Sequence, residues 1–173
     1  MKTTTLALGL ITAVVLTGCA AARQGEGNEA EEKPGMGTNY LPNAEASRVV
    51  SVATNGPASA VIVVLTQAVA VKETGPKETV ARFGEVYAFA PSFLAVHRDE
   101  PTLIRFWNLQ PDDEHDVMLI DPRRNVLMKV MLPPLKETAF VFTFHEEGLF
   151  DMICAMHRPA MNGQILVLPP RPQ

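Results

Sequence analysis

From residue 48 almost to the C-terminus, short runs rich in Val, Phe, Ile and Thr alternate with Pro, Gly, Asp and Asn at intervals near ten residues. Runs this short, bounded by residues that end ladders and make turns, read as strands of an all-β sandwich or barrel. Candidate strands cover 48–53, 60–71, 80–90, 94–96, 102–108, 116–120, 126–130, 137–144, 148–154 and 164–168. Alternation is clearest late in the chain, where Phe140, Phe142 and Phe144 share one face and Phe150, Met152 and Cys154 share another. Pro91, Pro101, Pro111, Pro122, Pro133 and Pro134 fall between runs, where no ladder hydrogen bond is lost. The stretch 59–71 is long for a strand and alanine-rich enough for a buried helix; its Val and Ile content favours a strand.

Composition narrows the function classes. The chain of 173 residues has a formal net charge of −4 and no clustered cationic face, which argues against a nucleic-acid binder. Two cysteines exclude a disulfide-stapled scaffold. No glycine loop suited to phosphate is present, and a Cys–His nucleophile without an oxyanion-hole signature is a weak reading.

The first residues direct the chain outward. Lys2 precedes an uncharged run at 6–18, matching a signal-peptide core and too short to span a bilayer. The run closes on Leu16-Thr17-Gly18-Cys19, which resembles the lipobox of bacterial lipoproteins. That resemblance implies cleavage after residue 18 and acylation of Cys19, with several acyl chains giving stable anchoring. Residues 19–47 then read as a lipid-anchor cysteine and flexible tether, since 23–43 hold four glycines, two prolines and four glutamates. The sandwich domain is expected over 48–170. If Cys19 carries lipid, Cys154 has no disulfide partner in the chain and calls for another role.

That role is suggested by its neighbours. Cys154, His157 and Met161 fall in a short loop between two expected strands, and His115 stands upstream in the acidic stretch Asp112-Asp113-Glu114-His115-Asp116. Two imidazoles, a thiolate and a distant thioether form the donor set of a blue-copper site. Soft thiolate and imidazole hold Cu(I) and Cu(II) with little rearrangement between them. The alternatives are an inert buried thiol for Cys154, core packing for Met161 with Met156 as a local competitor, and a surface position for His115. His97 and His145 read as solvated turn residues.

The segment 80–169 resembles a cupredoxin, the family of plastocyanin, pseudoazurin and amicyanin. The resemblance rests on a Gly-x-aromatic strand leading into Cys-x-x-His-x-x-x-Met, on Gly163 before a closing strand, and on Phe106-Trp107-Asn108 with His115 upstream. It implies a Greek-key β-sandwich and one mononuclear type 1 copper ion, with His115, Cys154 and His157 as equatorial ligands and Met161 as the axial one. Two positions depart from the pattern. Asp116 stands where Asn commonly ties the ligand loops together, which places that tie in doubt, and Met152 and Ile153 stand where an aromatic residue is common.

The expected function is single-electron transfer between extracytoplasmic redox proteins by a monomer that is not an enzyme and touches the membrane through its lipid anchor. The partner would be a c-type cytochrome or a terminal oxidase, with no nucleic acid involved. The alternative is a copper-handling protein for tolerance, buffering or delivery to an oxidase. Met118, Met128, Met131, Met152, Met156 and Met161 read as core filler or as a second Cu(I) site. The acids around His115 read as a solvated loop or as a docking face for a basic partner. Those same carboxylates are expected to favour protonated His115 when metal is absent.

Overall fold

A computed structural model describes residues 38–172. The expected signal segment at 1–18, Cys19 and the tether as far as residue 37 lie outside the described residues. Among the described residues ten strands form two five-stranded sheets. In chain order they are β1 (Val50–Ala53), β2 (Ala60–Ala70), β3 (Val86–Ala90), β4 (Phe93–His97), β5 (Thr102–Asn108), β6 (His115–Ile120), β7 (Val126–Leu132), β8 (Glu137–Phe144), β9 (Gly148–Ile153) and β10 (Asn162–Leu168). One sheet runs β1-β8-β5-β2-β3 and the other β4-β10-β9-β6-β7. Two pairings, β2 with β5 and β4 with β10, are parallel; all others are antiparallel. Successive strands change sheet repeatedly, which is the Greek-key sandwich expected.

The core lies between the sheets, where period-two alternation aims one side chain in every two. Phe142 and Phe144 stack with ring centroids 6.1 Å apart, and Phe144 meets Phe150 edge-on at 5.0 Å. All three rings are buried, and each contributes about 1.5–3 kcal/mol of apolar burial. The ambiguous run at 59–71 is a strand whose outer side exposes Val61 and Val63.

Two expectations are corrected. The run 80–90 is not one strand, because Lys77–Phe83 forms a helix, α1, before β3 begins. Pro76 at its N-cap, Glu78 in the first turn and Arg82 in the last suit a helix. Gly84 closes it at φ 74°, its N–H bonding to the carbonyl of Val80. Seven residues are too few for helical periodicity to stand out against Val80 and Phe83. The second correction concerns the tether. Tyr40 exchanges two backbone hydrogen bonds with Lys129, and Asn39 Oδ1 accepts from the Met131 N–H, 2.7 Å away. Strand β7 is a sheet edge with backbone groups to satisfy, and Asn39 and Tyr40 supply partners that composition alone did not indicate.

The ends of β5 and β9 and the starts of β6 and β10 meet at one end of the sandwich. The loops 109–114 and 154–161 join them there, and these carry the candidate site.

Candidate metal centre

Asn108, buried at the end of β5, organises the first loop. Its Oδ1 accepts from Thr66 Oγ1 at 2.7 Å and from the Gln110 N–H at 3.0 Å. Its Nδ2 donates to the carbonyls of Asp113 at 2.8 Å and Leu132 at 2.9 Å. With its amide capacity used, Asn108 fixes where the acidic loop ends and places His115 as the first residue of β6. His115 then points inward with Val117 and Leu119.

On the facing loop, Cys154 continues the inward row of Phe150 and Met152, and all three are fully buried. The Cys154 N–H donates to the carbonyl of Met161, and the Met161 N–H to the carbonyl of His157, each at 3.0 Å. These two bonds fold the loop back on itself, with Met161 fully buried beneath it. Gly163 permits the closure: a Cβ there would lie 2.7 Å from the Ser92 carbonyl oxygen and 2.8 Å from Met152 Cε.

The donors converge. His115 Nδ1 lies 3.0 Å from His157 Nδ1, and Cys154 Sγ lies 3.6 Å from that same nitrogen. One donor atom from each residue falls within 4.8 Å of the others, the sole such group of His, Cys, Asp and Glu found among the described residues. His115 and Cys154 are buried, while His157 is half-buried. Beside His157 a cleft of about 540 Å³ is lined by Phe83 of α1, Val86, Met156, Pro159 and Ala160.

Burial favours the uncharged forms of His115 and Cys154 when no metal is bound. His115 is lowered to about 4, first by burial and then by the neighbouring His157, against the opposing pull of Asp113 and Asp116. The expectation that nearby carboxylates favour protonated His115 is therefore overturned, because loss of hydration outweighs them. Burial likewise raises the Cys154 thiol. Two imidazole nitrogens and a sulfur at these separations suit ligands sharing one ion at about 2.0–2.3 Å. Their chemistry, two borderline nitrogens and one soft sulfur, is that of type 1 copper.

Two supporting residues, Tyr87 and Lys129, were not visible as such in the sequence. The ring of Tyr87 packs against His115 at 4.8 Å and against His157 at 4.6 Å, while its hydroxyl donates to Asp113. Burial first, and then that hydrogen bond, pushes the phenol above its usual range, so it remains a donor. Inward alternation of Tyr87 with Phe89 was the only signal available. Asp116 keeps the tie that had been in doubt: its Oδ1 accepts from the Ala155 N–H at 2.5 Å, joining β6 to the residue after Cys154. Its Oδ2 lies 3.1 Å from Lys129 Nζ, and both side chains are buried. Lys129 itself, inside an apolar strand, had given no sign of a role.

The remaining candidates divide plainly. Of the four acids around His115, Asp112 and Glu114 are exposed, whereas Asp113 and Asp116 are engaged internally. Met128, Met152 and Met161 are fully buried, and Met156 is exposed at the cleft. His97 and His145 sit at the opposite end of the sandwich and are hydrogen-bonded rather than simply solvated. His97 Nδ1 is 2.6 Å from the Pro169 carbonyl oxygen, while His145 contacts Asp99 and Ser51.

No protein-family profile matches the sequence, and no curated protein matches it. Among solved structures, the chain is similar to a copper nitrite reductase from Nitrosomonas europaea, at 14% identity and TM-score 0.50, over 66% of this chain and 51% of that one. It is also similar to auracyanin from Roseiflexus castenholzii, at 16% identity and TM-score 0.48, over 65% and 100%. Auracyanin A, a blue copper protein from Chloroflexus aurantiacus, matches at 16% identity and TM-score 0.45, over 62% and 98%. The likeness to the reductase supports the fold. The chain thus has a cupredoxin-like β-sandwich fold, and its buried histidine–cysteine–histidine group fits one type 1 copper ion.

Proposed function

We propose that this protein carries single electrons on a copper ion that His115, Cys154, His157 and Met161 would hold. Copper held there supplies a one-electron couple between Cu(I) and Cu(II). The observation that carries this reading is the burial of the donors: His115, Cys154 and Met161 are closed off, and His157 alone reaches the cleft. A site so enclosed leaves no open position for a substrate, but lets charge pass through His157 to a docked protein. Phe83, Met156, Pro159 and Ala160 give that exit an apolar surface, bordered by Glu85 and Arg158, where a partner can exclude water. The chain's own groups do the rest. Neutral His115 offers a free lone pair, Cys154 releases its proton when metal binds, and Tyr87 with Asp116 holds the loops in place.

The partner would be a c-type cytochrome or a terminal oxidase outside the cytoplasm. The domain would act as a monomer, lipid-anchored through Cys19 and tethered by the residues that follow. Among the described residues no helix is long and apolar enough to cross a membrane. Adding Cu(II) to the purified chain tests the reading. An intense visible thiolate-to-copper band with a matching electron paramagnetic resonance signal supports it, and a colourless protein refutes it. Met161→Leu is expected to keep the band and raise the reduction potential.

The exposed thioether of Met156 beside His157 also favours a second reading, in which the protein buffers or delivers copper. Fast, reversible electron exchange with a cytochrome supports the carrier. Rapid copper transfer to an acceptor with sluggish electron exchange supports delivery.

A further inference from the structure

Strand β7 reads Val126-Leu127-Met128-Lys129-Val130-Met131-Leu132, and Lys129 is only 4% exposed within it. An ammonium in such a place loses most of its hydration, and a buried ion pair is a weak device for stability. Its position suggests another purpose. Asp116, whose carboxylate it meets at 3.1 Å, is fully buried, directly follows His115, and holds the peptide N–H next to Cys154. The Asp116 carboxylate therefore adjoins one proposed ligand in sequence and is hydrogen-bonded to the residue after another, shielded from solvent. Uncompensated, it would favour the more positive, oxidised form of a metal bound there, because interactions between charges are strong where water is excluded.

We propose that Asp116 and Lys129 act as a charge-balanced pair that sets the reduction potential of the metal centre. Asp116 is a positioning residue through its hydrogen bond to Ala155, and Lys129 cancels the field this carboxylate would otherwise impose. The inference rests on the type 1 copper reading and adds to it a residue that no ligand pattern would select.

The test uses the full, copper-loaded chain and redox titration followed by visible absorbance. Lys129→Met leaves the carboxylate uncompensated and is expected to lower the midpoint potential. Asp116→Asn keeps an oxygen to accept from Ala155, leaves the ammonium uncompensated, and is expected to raise it. The double variant restores neutrality and is expected to return close to the parent value. Glu114→Gln, an exposed charge beside His115, is the control and is expected to shift the potential less than either single change. Single variants that shift in the same direction, or no further than this control, overturn the proposal. Thermal unfolding of the metal-free proteins gives an independent readout, with the double variant expected to be more stable than either single one. Additive losses there would mean the two residues are uncoupled and would also overturn it. If a single variant does not fold, the other single variant and the double variant still decide the sign. A parent protein that shows no thiolate band would instead overturn the copper reading itself.

Discussion

Each end of the sandwich holds two histidines, and the two ends use them in opposite ways. At the far end His145 has both ring nitrogens engaged, Nδ1 with Asp99 at 2.9 Å and Nε2 with Ser51 at 2.8 Å, while His97 meets a carbonyl. Those imidazoles have ordinary partners and serve the fold. At the other end His115 and His157 turn their Nδ1 atoms toward each other at 3.0 Å, beside a buried sulfur, with a tyrosine against both rings. Without metal one neutral ring can donate its Nδ1–H to the other. With both rings protonated at Nε2 instead, the facing lone pairs can share a cation, and burial opposes only the extra proton that would charge a ring. The difference lies not in residue type but in which groups face the ring and how much water is left.

Substituting the sulfur should break the comparison most completely. Cys154→Ser is expected to abolish the visible thiolate band, measured by absorbance after Cu(II) addition. Full retention of colour would remove Cys154 from the ligand set.

Acid should separate the two ends next. The unfolded His115 imidazole takes a proton near 6.5, whereas the folded one resists until about 4. Between those values the unfolded state binds more protons, so metal-free stability falls as pH drops through that window, by about 3 kcal/mol on complete loss. Urea unfolding at pH 7 and pH 4 checks this against His115→Gln, which should lack that part of the slope. Equal slopes would mean that burial of His115 does not govern its protonation.

A smaller effect is expected at Tyr87. Tyr87→Phe keeps the ring against both histidines and loses the hydrogen bond to Asp113, costing about 1–2 kcal/mol and loosening the acidic loop. Calorimetry of the metal-free protein measures it. Smallest of all is His145→Gln at the far end, where the pair with Asp99 is exposed to solvent. Stability should move by no more than about 1 kcal/mol, and the copper spectrum should not change. A spectral change there would show that the two ends are coupled.

Much of the fold could be read in advance because strands write their geometry locally. Thr102–Asn108 and Glu137–Phe144 fall where alternation and flanking Pro or Gly put them. The site motif was legible for the same reason, since Cys154, His157 and Met161 share one short loop and His115 had no better rival. Helix α1 was not legible, because seven residues leave too little periodicity and its Val80 and Phe83 suit a strand equally well. The roles of Tyr87 and Lys129 could not be read, since their importance lies in neighbours 26 to 70 residues away or 13 residues across a hairpin.

Amino-acid order by itself determined the strand pattern, the donor types and the spacing of the C-terminal loop, because these depend on residues within a few positions of one another. Only the tertiary structure decided that His115 meets that loop, that burial rather than nearby acid controls its proton, and that Asp116 retains its tie with Lys129 beside it. Those outcomes depend on distance and water exclusion across sheets, which no local pattern encodes.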